Sequence, residues 1–205
     1  MSEPALSAPP EPSFGEALPL APSQTLLDLL ARRRSASAGA LAAPGPNPGE
    51  LADILRLSAR APDHGKLFPW RFVVIEGEAK EKLAAALSLL AQSQPDPVKA
   101  QASLFKLTKP PLAVAVISSP TPGKIPEWEQ RLSAGAVCTL MLLAAQGFGY
   151  GANWITDWYA YTPEATALIG LKADEQVAGF IYMGTATEAP LERPRPEMSA
   201  LVGWL

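Results

Sequence analysis

The run Glu127–Gln146 constrains this chain more than any other stretch. Between Ala134 and Ala145 only Thr139 is polar. A helix over these residues is apolar nearly all round, so the sequence predicts a helix buried on all sides. It is too short to span a bilayer, which needs about 20 apolar residues. Glu127 and Glu129 sit in its first turn, where negative charge favours a helix N-terminus. Gly147 and Gly149 suit its C-cap and a tight turn. Ser133, Ala134, Gly135 and Ala136 are small enough for another helix to approach closely. Cys138 lies mid-run and reads as an inert core residue.

A helix of this kind needs layers around it, and the remaining chain supplies them. Phe72–Ile75, Leu112–Ile117, Tyr150–Trp154 and Val177–Met183 read as strands, several of them continuous apolar runs of the kind buried on both faces. Ser23 caps a first helix with an apolar face of Leu26, Leu27, Leu29 and Leu30. Asn47, Pro48 and Glu50 form a capping box for a second. Further helices are predicted over Glu78–Ala91 and Pro97–Leu107, and a short one is capped by Thr162 with Pro163 at its first position. Ala38–Gly49 reads as a Gly/Pro loop, and the segment holding Arg193-Pro-Arg195-Pro as a wrap over the surface or a reach to another subunit. The fold class is α+β: a mixed central β-sheet flanked by helices, one of them long, central and buried. Residues 23–205 form the domain. Residues 1–22, rich in Pro, Ala and Ser, form a disordered or loosely packed extension.

Charge and composition exclude several functions. At 48% hydrophobic and 18% charged the chain can build a real core. A net charge of -3 and a pI near 5.3 argue against a broad nucleic-acid surface. One cysteine excludes an internal disulfide, and one histidine leaves no metal-ligand cluster. Residues 1–22 lack the basic and apolar regions of a signal peptide, and no run is long enough for a membrane span. The expectation is a soluble, cytoplasmic protein.

Arginine is concentrated where an anion could use it. Arg32–Ser37 holds three Arg and two Ser, Arg60–Lys66 adds two cations and the only histidine, and Arg193 and Arg195 come late. Taken singly, Arg32–Arg34 would only complement a helix dipole. The loop Arg60–Trp70 is stiffened by Pro62 and Pro69, turned by Gly65, and set between a helix and a buried strand, a good place to hold a planar ligand, the alternative being a plain helix-to-strand connection. Trp70, Trp128 and Trp154 could cover such a ring, although buried aromatics are more often core. Gly147-Phe148-Gly149-Tyr150-Gly151 lacks the strand before and helix after that a dinucleotide fingerprint needs. No Ser-His-Asp order or carboxylate pair stands out.

Five segments, in this order, resemble the nitroreductase family of FMN flavoproteins, within it the small bacterial NAD(P)H nitroreductases with an Arg-Ala-Pro-Asp-His loop. They are Arg33-Arg-Ser-Ala-Ser37; Arg60-Ala-Pro-Asp-His64 with Pro69-Trp70 and the strand to Glu76; Trp128-Glu-Gln130 with Ser133-Ala-Gly135; Ala145-Gln-Gly-Phe-Gly149; and Gly179-Phe-Ile-Tyr-Met-Gly-Thr185. The resemblance covers about Thr25 to the C-terminus. It implies a nitroreductase-like homodimer with FMN at the subunit interface, the 127–146 helix being a main dimer element. It places Arg33, Arg34 and Ser35 at the FMN phosphate and ribityl chain, Arg60 and His64 at the flavin, and Trp154, Ile155 and Thr156 along it. Arg193 or Arg195 would complete the phosphate site. Ala145, Gln146, Gly147, Phe148, Gly149 and Tyr150 fall where some relatives contact the nicotinamide cofactor.

The resemblance also implies the activity. NADH or NADPH gives hydride to flavin N5 and leaves, and a nitro-aromatic, quinone or similar small-molecule acceptor takes its place in a ping-pong cycle. No side chain is required as a catalytic acid. The alternative is an FMN carrier or sensor without significant turnover, and a third reading is a structural dimer with an empty site. Three positions depart from the pattern. Phe68 replaces a common Gln, Ile155 a common Arg, and Ser37 a common basic residue. The first two bear on polar contacts over the flavin and hence on substrate. The third removes a charge that Arg32 could restore.

Overall fold

The computed structural model describes residues 6–205. Its elements are α1 (Gln24–Arg32), β1 (Leu41–Ala42), α2 (Pro48–Ser58), β2 (Trp70–Glu76), α3 (Gly77–Ala91), α4 (Pro97–Ser103), α5 (Phe105–Thr108), β3 (Leu112–Ser118), α6 (Glu127–Gly147), β4 (Gly151–Ile155), α7 (Pro163–Leu168) and β5 (Gln176–Ala186). Strand β3 lies between β2 and β5, and β5 also pairs with β4 and, at its C-terminal end, with β1. Each pairing is antiparallel, so the α+β class holds while the sheet is antiparallel rather than mixed.

The sheet is the middle of three layers. Along β3 the side chains alternate between faces. Ala113, Ala115 and Ile117 meet Leu87 of α3, Leu107 of α5 and Ala165 of α7. Leu112, Val114 and Val116 meet Ile54 of α2 and Val137, Met141 and Ala145 of α6. Strand β5 repeats the pattern, with Phe180 and Tyr182 on the first face and Ile181 and Met183 on the second. This double burial is why β3 reads as an unbroken apolar run.

Several expectations change. Strand β1 lies inside the predicted 38–49 loop, where Leu41 and Ala42 pair with Ala186 and Thr185; two residues are too few to give a periodic signal. The predicted 97–107 helix breaks at Leu104 into α4 and α5. Thr162 does not cap α7 with its side chain; its hydroxyl donates to the Trp158 carbonyl instead, and Pro163 alone sets the first turn. Helix α6 is buried on one side only. Val137, Cys138 and Met141 are fully enclosed, while Leu132 is 55% exposed and Leu140, Leu143 and Ala144 are half-buried. The sheet and α2 cover one face of the helix; toward the other, Leu132 and Thr139 stand exposed, and Leu140, Leu143 and Ala144 share a cavity wall with residues 6–9 and Leu26. Helix α1 forms on its Ser23 cap as read, yet Leu26, Leu27 and Leu30 are at least half exposed.

Residues 6–22 form no helix or strand and are mostly exposed, but they are tied down at one point. The Ala8 N–H donates to Asp53 Oδ2 (2.8 Å) and Arg56 donates to the Pro9 carbonyl (2.7 Å), both on α2. Among the described residues no helix is long and apolar enough to cross a membrane, and no group of His, Cys, Asp and Glu is placed to hold a metal ion.

Candidate functional site

The arginine-rich segment after α1 is pinned to the edge of β4. The Ala36 N–H donates to the Ala152 carbonyl (3.0 Å), and Asn153 Nδ2 donates back to the Ala36 carbonyl (2.6 Å). Arg33, Arg34 and Ser35 are therefore held directly before a doubly bonded residue. The C-terminal segment crosses them. Arg34 Nε donates to the Leu191 carbonyl (2.8 Å), and Arg195 Nη2 reaches the Arg33 carbonyl (3.4 Å) while pairing with Glu192 (2.9 Å). Of the two late arginines, Arg195 is the one whose guanidinium reaches the segment; the Arg193 backbone N–H bonds Glu192. That N–H, with Arg195 and Arg34 nearby, holds the Glu192 carboxyl below its usual range.

Strand β4 continues this surface. The Trp154 indole donates to the Ala178 carbonyl (3.1 Å) and passes against Gly179, where an added Cβ would come within 2.0 Å of Nε1. Only glycine fits beneath that ring. Ile155 turns inward against the core, and Thr156 Oγ1 accepts from the Tyr161 hydroxyl (2.7 Å). Arg33–Ser35, Trp154–Thr156 and Arg195 thus belong to one region.

The 60–70 loop forms a second. Its Pro62 carbonyl accepts from Ser133 Oγ (2.7 Å), which also accepts from Trp70 Nε1 (3.2 Å). His64 Nδ1 lies 2.7 Å from Glu129 Oε2, and Asp63 Oδ2 accepts from the Phe68 N–H (2.8 Å). Gly65, Lys66 and Phe68 take φ values of 82°, 57° and 48°, the left-handed region that only glycine adopts freely. Ser133 anchors this loop, whereas Gly135 faces Trp154, its added Cβ falling 3.8 Å from that ring. Two residues along a helix turn by about 200°. The two regions therefore lie on opposite flanks of α6, and one chain does not bring Arg60 and His64 to Arg33–Ser35.

The residues matched to nicotinamide contact finish α6. Ala145 is fully buried, and Gly149 makes the turn at φ 85°. The Tyr150 hydroxyl donates to Glu50 Oε2 (2.6 Å), the carboxylate that closes the α2 capping box. Burial, and then Glu50, push the Tyr150 phenol up to about 12. Ala145 and Tyr150 are committed to structure, while Gly147 and Phe148 border a cavity of about 520 Å³ in which Arg60 is the one charged lining residue among the described residues. Gln146 is half-buried on the same last turn. Asn153 and Tyr161 went unread, and Glu129 and Ser133 were read only as part of a motif without a role; the Asn153, Glu129 and Ser133 contacts reach 117, 65 and 71 residues along the chain.

The fold and this surface define a class: an antiparallel α+β sheet between helical layers, with an arginine-rich segment along the outer edge of β4. The Nitroreductase family model matches residues 30–185. The chain belongs to that family. It is 36% identical over 161 residues to the Escherichia coli (strain K12) protein named "Putative NAD(P)H nitroreductase YdjA", covering 78% of this chain and 87% of that one. It is 33% identical over 165 residues to a Haemophilus influenzae protein of the same description, covering 79% and 89%. Among solved structures, a nitroreductase-like family protein from Bacillus cereus superposes with a TM-score of 0.78 at 22% identity, over 92% of this chain and 99% of that one. A nitroreductase with bound FMN from Bacteroides fragilis gives 0.68 at 20% identity, over 89% and 100%. At these identities the two structures speak to the fold.

Proposed function

We propose that this chain is an FMN-dependent NAD(P)H oxidoreductase acting on nitro-aromatic, quinone or similar acceptors as a homodimer. The observation that carries the reading is the meeting of Arg33, Arg34, Ser35 and Arg195, the last from 162 residues away, at one strand edge. The donor set suits a phosphate. A guanidinium has five N–H groups, and Arg34 spends one on Leu191. The names of the relatives support a nicotinamide reductant, and the FMN bound by the Bacteroides fragilis protein supports the flavin.

FMN, when bound, would supply the redox chemistry, hydride transfer from NADH or NADPH and on to an acceptor. The chain supplies the rest. Arg33, Arg34, Ser35 and Arg195 hold the phosphate end by charge-assisted hydrogen bonds. Trp154, packed against Gly179, supplies an aromatic ring to the wall. Tyr161 fixes the Thr156 hydroxyl. Arg60 and His64 come from the partner subunit, because within one chain they sit across α6. The stripe Leu132, Gly135, Ala136, Thr139, Leu140 and Leu143 on α6 is the surface along which a second copy packs. The test is anaerobic: purified yellow protein mixed with NADH or NADPH bleaches and recovers its colour when menadione is added. Yellow protein that neither nucleotide bleaches is a flavin carrier, and colourless protein that binds no added FMN overturns the flavin assignment.

A further inference from the structure

Phe68 is in the wrong place for an ordinary aromatic residue. It is 64% exposed, although burial is the usual gain from a phenyl ring. Its φ of 48° is one that bulky side chains rarely adopt, and Lys66, two residues earlier, is also left-handed at 57°. Such strain persists only where the surroundings over-determine it, and it gathers at ligand sites. The surroundings here do so. The Phe68 N–H is held by Asp63 Oδ2 (2.8 Å), its carbonyl accepts from the Trp70 N–H (2.7 Å), and Pro69 follows. The Phe68 ring meets Trp70 edge-on at 6.2 Å, and Trp70 is locked by Ser133. The loop thus spends conformational energy to present a ring to the outside, four residues from His64 and closed back onto Asp63.

We propose that Phe68 is a specificity-determining residue whose ring forms the stacking face for planar aromatic acceptors. This rests on the reading that the Arg60–His64 loop borders a flavin. A ring held by the backbone, by Pro69 and by Trp70 loses little freedom when a flat ligand stacks on it, so the contact favours planar molecules over compact ones. The acceptor class is therefore quinones and nitro-aromatics with an extended π-face.

The test compares menadione, a planar quinone, with ferricyanide, a compact octahedral anion that has no π-face. The variants are Phe68→Leu, Phe68→Gly and Phe68→Tyr in the full-length flavin-loaded protein. Loss of the ring should lower kcat/KM for menadione roughly five- to tenfold and leave ferricyanide within about twofold. Phe68→Tyr should retain the wild-type ratio. Phe68→Gly also relieves the left-handed backbone, so it should fold at least as well as wild type while showing the same acceptor defect; a merely structural phenylalanine would not separate the two. A second readout needs no turnover: the Kd of menadione for the oxidised protein without reductant, followed by tryptophan fluorescence quenching, should rise by a similar factor in Phe68→Leu. Equal effects on both acceptors, or none on either, overturn the proposal while leaving the enzyme intact. A wild type that turns over neither acceptor overturns the proposed function, and this inference with it.

Discussion

The proposed anion site makes a quantitative demand. FMN and riboflavin share the ring and the ribityl chain and differ by the phosphate, so the ratio of their affinities reads the phosphate contacts alone. A charge-assisted hydrogen bond contributes roughly 1.5–3 kcal/mol. Two of them predict at least about a hundredfold preference for FMN, at about 1.4 kcal/mol per tenfold. The arginines are not equivalent. Arg34 has given its Nε to Leu191, and Arg195 is shared with Glu192, whereas Arg33 makes only a 3.5 Å contact to Ser35. Arg33→Ala should therefore remove most of the preference and leave riboflavin binding nearly unaltered. Asn153→Ala tests the scaffold behind it. Losing the 2.6 Å bond to the Ala36 carbonyl, with the Ala36 N–H still on Ala152, should cost FMN binding about 1 kcal/mol, roughly fivefold, and riboflavin less. Flavin fluorescence quenching on apoprotein measures both ligands, at fixed ionic strength because surface charge contacts are screened. If wild type binds riboflavin as tightly as FMN, or if Arg33→Ala weakens the two equally, the segment is only a charged helix end.

Further outcomes follow from other parts of the fold. The Arg71 guanidinium hydrogen-bonds the buried Glu175 carboxylate (2.6 and 2.8 Å) and holds its pKa down to about 2, from an ordinary 4.5. A depressed carboxylate pKa stabilises the fold above about pH 4.5, and that contribution disappears as pH falls toward 2. Discounted because Arg71 is a third exposed, Glu175→Gln should cost about 2 kcal/mol at pH 7, with the gap to wild type closing between about pH 4.5 and 2 in denaturant titrations. Gly135→Leu adds bulk to the open stripe of α6 beside Trp154; it should convert a dimeric, flavin-loaded protein to monomer with loss of FMN together, and a wild type that sediments as a flavin-loaded monomer refutes the shared site. Deleting residues 1–22 removes two hydrogen bonds to α2 and should lower Tm by only a few degrees while FMN content stays unchanged.

How far the sequence carries depends on whether a feature is local. The strands around Leu112 and Val177 were legible because burial on both faces leaves continuous apolar runs, and α2 because Asn47, Pro48 and Glu50 write its cap within four positions; the apolar run at Phe72 read equally as a buried strand, yet β2 lies at the sheet edge with only Ile75 buried. Strand β1 was not, since Leu41–Ala42 is a strand only by virtue of Ala186 and Thr185. The site divides the same way. The Arg and Ser types before β1 could be read as anion donors, but Asn153, which fixes them, acts across 117 residues, and the choice of Arg195 over Arg193 depends on where the C-terminal segment crosses. The all-apolar character of α6 was legible as a demand for burial, yet it said nothing about whose atoms meet that demand. Within the chain, α2 and the sheet satisfy one face and leave Leu132 exposed and Leu140 and Leu143 only half-buried. The same helix separates the Ser133-anchored loop from Trp154. A second copy packed along the open face would cover the exposed stripe and carry its own Arg60 and His64 toward the first copy's Arg33–Ser35. The surplus of apolar residues on α6 and the division of the candidate site across it then have a single cause, and disrupting the stripe should abolish both together.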